Sequence, residues 1–206
     1  MGLPGCGERR PTAPARSLVL TFDKGFRSFL TLIAPLLAER GMTATVFLEP
    51  EQITDTHETR LPRFWTPMDT ECRLAWDEVG ALRREGIDFG VYAGPHARSR
   101  TPDDAREALR RDRDMLASRL GEHSLPLAFP FGANKPDARA LATELQFSCV
   151  LGCGHLGFNH SHKDAFALRR IYAREPGSDD VASFAAQLSG LKRWYWRATR
   201  TTLIER

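Results

Sequence analysis

The sequence contains no run approaching the roughly 18 consecutive apolar residues that a membrane-crossing helix needs. It has only four cysteines (Cys6, Cys72, Cys149, Cys153), and none fall in the paired spacing of a zinc site. They read as free thiols, which points to a reducing, cytoplasmic location. Charge of one sign is also scarce: a formal net charge of +3 is too small to argue for a nucleic-acid partner. There are no internal repeats and no low-complexity tract. The first segment, Met1 to Arg16, is rich in Gly, Pro and Arg but lacks the apolar core of a secretion signal, and reads as a disordered leader.

What remains is an ordinary globular composition, 42% apolar and 27% charged, in a chain of 206 residues that suits one sizeable domain. The stretch Leu18-Val19-Leu20-Thr21-Phe22-Asp23-Lys24-Gly25-Phe26 reads as a buried strand with a sharp exit at Gly25. A carboxylate at such a strand tip is costly to desolvate, so Asp23 is expected to be functional or tightly paired. Helical spacing follows over Ser28 to Arg40, with Pro35 predicting a kink or a first-turn position. Further strands are expected at Thr43–Leu48, Ile87–Ala93, Leu125–Phe131, Phe147–Cys153 and Ala167–Ala173. Helices are expected at Leu74–Glu85, from Thr101 to about Leu120, at Pro136–Leu145 and at Asp179–Leu191. Glu49 to Thr70 reads as a loop. This alternation indicates parallel βαβ units, as an α/β barrel or as an open sheet; both place functional residues at the strands' C-terminal ends.

Those ends carry Asp23 and Lys24, Tyr92 and His96, Pro130, Phe131 and Gly132, and the loop from Gly152 to His162. Here the sequence resembles the polysaccharide deacetylases (carbohydrate esterase family 4, the NodB-homology domain). Thr21-Phe22-Asp23-Lys24-Gly25 is similar to the family's Thr-Phe-Asp-Asp-Gly motif. Gly90-Val91-Tyr92-Ala93-Gly94-Pro95-His96 matches the spacing of its Gly-Ser-His-x-x-x-His run. Ala128-Phe129-Pro130-Phe131-Gly132 resembles Arg-x-Pro-Tyr-Gly. Gly41 to Phe47, Trp76-Asp77-Glu78-Val79 and Phe166 to Ile171 resemble linking elements, so the resemblance covers residues 17 to 191. It implies a distorted (β/α) barrel of about seven strands, binding a glycan or an N-acyl amino sugar.

The departures bear on chemistry. The resemblance implies that Asp23 is the general base. It also puts Lys24 and Tyr92 where relatives hold a divalent metal such as zinc with Asp and His, leaving His96 as the third ligand. An ammonium cannot ligate a metal, and it repels one by roughly 8 kcal/mol at 4 Å and an effective dielectric near 20. No cofactor is therefore expected, and metal-dependent de-N-acetylation reads as lost or altered. Lys24 has three readings: pairing with Asp23 in the vacated cation position, new work on a carbonyl or anion, or pointing away. Tyr92 reads as packing or as an acid, and His96 as a pocket-rim residue. The Phe131 amide would serve an oxyanion hole as the family residue does, whereas Ala128 removes the Arg that orients the catalytic carboxylate in relatives.

In the Gly152–Asp164 loop, Asn159 is a candidate for a sugar hydroxyl. His155, His160 and His162 read as polar loop residues or as a replacement metal site. The tail, residues 192–206, mixes basic and aromatic residues around Trp194-Tyr195-Trp196. It reads either as packing on the barrel exterior or as contact with a membrane surface or lipid-linked substrate. The expectation is a divergent, deacetylase-like domain with Asp23, Lys24 and His96 as catalytic candidates. Tyr92, Pro130, Phe131, Gly132 and Asn159 are the candidates for substrate binding. Two other classes stay open: a non-catalytic scaffold or regulator of exopolysaccharide assembly, and a metal-independent enzyme built on Lys24.

Overall fold

The computed structural model describes residues 17–55, 72–94, 101–130, 136–153, 159, 165–171 and 185. Six strands form one parallel sheet: β1 (Thr21–Asp23), β2 (Thr45–Leu48), β3 (Asp88–Tyr92), β4 (Pro126–Phe129), β5 (Cys149–Cys153) and β6 (Leu168–Arg170). All six coincide with expected strands. Their spatial order is their chain order, and every neighbouring pair is parallel. An open doubly wound sheet reverses its order at a switch point, whereas a barrel does not. The order therefore settles the choice that hydrophobic patterning left open.

Curvature confirms it. Six flat strands spaced about 4.8 Å apart would hold β1 and β6 roughly 24 Å from each other. Yet Arg170 of β6 donates to both carboxylate oxygens of Asp23 on β1, at 2.5 and 3.0 Å. Two such side chains together reach on the order of 12 Å. The sheet must curl until its first and last strands nearly meet, which gives the distorted (β/α) barrel that the resemblance implies. No backbone ladder joins β1 to β6 among the described residues.

Among the described residues, four α-helices lie between strands: α1 (Ala34–Glu39), α2 (Trp76–Arg84), α3 (Pro102–Leu120) and α4 (Pro136–Glu144). Pro35 lies in the first turn of α1, and the turn before it, Phe29–Ile33, is wound as a π-helix with the Ala34 N–H donating to the Phe29 carbonyl. A proline lacks the N–H of a normal helical bond, so a widened turn ahead of it accommodates the gap. Thr101 caps α3 by accepting from the Asp104 N–H at 3.1 Å, as its sequence signature predicts.

The period-two alternation of the strands divides the core. Outward-facing Val46, Leu48, Phe89, Val91, Leu127, Phe129 and Val150 join Leu37, Val79, Leu82, Leu109 and Leu116 of the helices in the main buried cluster. A second, smaller cluster fills the barrel interior: Phe47, Tyr92 and Ala128, with Leu151 against them. Asp23 pairs in register with Phe47, and Tyr92 with Ala128, so these interior residues belong to adjacent rows. Of the expected last helix only Ala185 is described, and it is helical and exposed; the leader 1–16 and the tail 192–206 lie outside the described residues.

Candidate active site

At the C-terminal end of β1 the chain turns through two left-handed residues, Lys24 (φ 75°) and Gly25 (φ 61°). Glycine is required at position 25, because a Cβ there would come within 2.4 Å of Leu48 Cδ2. Lysine at position 24 is strained, since left-handed backbone disfavours a long L side chain. Residues 72–74 hold this turn from the side. Arg27 N–H donates to the Cys72 carbonyl at 2.7 Å, Leu74 N–H to the Gly25 carbonyl at 2.9 Å, and Phe26 bridges antiparallel to Arg73. Glu78 of α2 adds a further tie, accepting from Arg27 Nε at 2.8 Å and from the Ala75 N–H at 3.1 Å. The Arg27 pKa is raised, chiefly by that hydrogen bond to Glu78.

The turn separates two adjacent charges. Asp23 faces the barrel interior and is held by Arg170 in a bidentate ion pair, with side-chain exposures of 26% for Asp23 and 10% for Arg170. The Arg170 guanidinium also lies 5.6 Å above the Phe47 ring. Lys24 is exposed, and its ammonium stands 5.8 Å from the centroid of the Phe26 ring, a cation–π contact. Among the described residues Lys24 forms no ion pair, so its sequence-adjacent partnership with Asp23 is not what the structure holds. Successive residues leave a strand in different directions, and the left-handed turn turns Lys24 further away. Arg73 shares the Phe26 ring at 4.3 Å and pairs with buried Glu49 at 2.5 Å.

Tyr92 closes β3, buried in the interior cluster with Phe47 and Ala128. Its ring lies so close over Gly94 that a Cβ on that residue would sit 2.2 Å from Tyr92 Cε1. Ala128 is fully buried beside it, and Pro130 follows at the half-buried exit of β4. Asn159 faces β6: its Nδ2 donates to the Arg169 carbonyl at 2.8 Å, and its Oδ1 accepts from the Arg169 N–H at 2.9 Å. His96, Phe131, Gly132, His155, His160 and His162 lie outside the described residues. Two ion pairs escaped sequence reasoning: that of Arg170, noticed only as part of the closing strand, with Asp23, and that of Glu49 with Arg73. The signal for Arg170 was Ala128 itself, since a buried Asp23 without the family's Arg needs another cation.

The implied divalent metal can be tested against this geometry. The two described positions that would ligate it carry an ammonium turned onto Phe26 and a phenol packed in the interior. The described residues include no group of three or more His, Cys, Asp or Glu able to hold a metal ion. They do not fit the family's metal. They do fit a carboxylate held by a guanidinium, an arrangement able to accept a proton or a sugar hydroxyl at the mouth of the barrel.

Comparison with known proteins agrees with the fold. Among solved structures, the BpsB deacetylase domain from Bordetella bronchiseptica superimposes with a TM-score of 0.57 at 22% identity, covering 74% of this chain and 69% of that one. IcaB from Ammonifex degensii gives 0.59 at 19% identity, covering 82% and 72%. The Streptococcus pyogenes deacetylase PplD, in complex with acetate, gives 0.59 at 20%, covering 77% and 65%. Among curated proteins none matches this chain. Residues 10–150 match the profile of the polysaccharide deacetylase domain. With more than half its length in that match, and a sheet that winds once around in chain order, the chain belongs to the polysaccharide deacetylase family.

Proposed function

We propose that this domain binds a glycan or N-acyl amino sugar above the strand tips, and that its metal-dependent de-N-acetylation is lost or altered. The observation that carries this reading is the split at β1. Asp23, the counterpart of the family's base, is retained and clamped by Arg170, whereas Lys24 and Tyr92 replace metal ligands with groups that hold no metal. A structural relative, the deacetylase PplD, was solved in complex with acetate, which is consistent with an N-acyl ligand. Any residual hydrolysis would use Asp23 as base, His96 or Lys24 as electrostatic partner and the Phe131 amide as oxyanion donor.

The test is acetate release from N-acetylglucosamine oligomers, with zinc or with chelator, for the wild type and for Lys24→Asp combined with Tyr92→His. Wild type is expected to bind the oligomer without chelator-sensitive release, and the double variant to acquire zinc binding. Chelator-sensitive turnover by the wild type would overturn the reading.

A second reading has its own observation. Lys24 occupies strained backbone with no carboxylate partner among the described residues, and strain of about 1 kcal/mol at a site tends to persist for function. That favours a metal-independent reaction using its amine. Borohydride trapping with a carbonyl substrate tests it, and absence of label on Lys24 ends the imine version. A non-catalytic scaffold or regulator in exopolysaccharide assembly, docking through residues 192–206 at a membrane surface, would bind the glycan with no turnover under any condition.

A further inference from the structure

The outer edge of β6 is closed by a side chain. A residue in a strand points its N–H and C=O to the same side, so a parallel neighbour takes both groups from one residue and neither from the next. Both groups of Arg169 are spent on the Asn159 amide, at 2.8 and 2.9 Å. The amide therefore occupies the edge of β6 that β5 leaves open. A primary amide, one donor beside one acceptor, is the smallest group that reproduces what a further strand would offer.

Arg170 is the next residue. Neighbouring strand side chains face opposite ways, so fixing the backbone at Arg169 aims Arg170 inward. Its guanidinium must meet two oxygens of one carboxylate across the seam, and such fork-to-fork contact tolerates little misalignment. β6 spans only three residues, Leu168–Arg170, so it has few ladder bonds of its own with which to hold that aim.

We propose that Asn159 is a positioning residue for Asp23, acting through the backbone of Arg169 and the guanidinium of Arg170. The proposal rests on reading Asp23 as the carboxylate that meets the ligand. Without the amide clip, the tip of β6 would fray and the two-point hold on Asp23 would become intermittent.

The experiment is nitrogen-15 NMR of the arginine guanidinium groups in the full chain, assigned with Arg170→Lys. In the wild type the bidentate pair should hinder rotation of the Arg170 fork, giving resolved Nη signals. In Asn159→Ala that rotation should become about tenfold faster, the effect of losing roughly one hydrogen bond of restraint. Asn159→Asp, which keeps the acceptor and loses the donor, should fall between, and serves if the alanine variant does not fold. A lowered Tm with unchanged Arg170 signals would overturn the proposal, leaving Asn159 as edge cover only; unchanged Tm and signals would overturn it equally. Failure of the functional reading would appear separately, as no response of wild-type signals to N-acetylglucosamine oligomers.

Discussion

The two sides of the β1 tip differ in what they keep. Toward β6, Asp23 and Arg170 form a part-buried, two-point ion pair. Toward β3, Lys24 lies over Phe26 and Tyr92 packs on Phe47 and Ala128. The difference teaches that neighbouring side chains of one strand tip are supported separately. The carboxylate is held across the seam from the far end of the chain, whereas Lys24 depends on the local turn and Tyr92 on the packing of β3. One half can therefore change without dismantling the other.

Breaking the seam should have the largest effect. Arg170→Met leaves a mostly buried carboxylate without a partner, and removing one member of a buried pair costs about 3 kcal/mol after allowance for partial exposure. For a chain of this size that lowers Tm by roughly 6–12 °C, measurable by calorimetry. Gly25→Ala strikes the turn that divides the two halves. Its Cβ collides with Leu48 in left-handed backbone, so a loss of about 2–3 kcal/mol is expected in urea unfolding. Glu49→Ala, which strips part-buried Arg73 of its carboxylate, should cost about 2 kcal/mol without moving the Arg170 signals, because it belongs to the other side of the turn. The smallest effect has the opposite sign. Lys24→Gly relieves the left-handed strain and should stabilise by about 0.5–1 kcal/mol. If glycan affinity falls at the same time, Lys24 works at the mouth; if affinity holds, the comparison sharpens to a single functional half.

Much of this architecture was readable beforehand. Short apolar runs marked all six strands, and Thr101 marked the start of α3, because those signals are local. Pro35 announced a disturbance without specifying a π-turn, which depends on how the preceding residues satisfy their carbonyls. The site was less readable. Lys24 beside Asp23 suggested an ion pair, but adjacency along a strand does not bring side chains together. The true partner is 147 positions away, and only curvature of the sheet brings it near. Asn159 likewise looked like a sugar contact, since nothing in its neighbourhood reveals that its amide would complete the edge of a strand.

The seam also constrains inheritance. Asp23 and Arg170 sit on strands that share no ladder, so neither has a backbone reason to be what it is. Each carries a cost of partial burial that the other offsets. A lineage that loses one charge is stabilised by losing the other, or by exchanging both for a neutral pair that still spans the seam. In descendants of this chain, the first and last strands should therefore vary together.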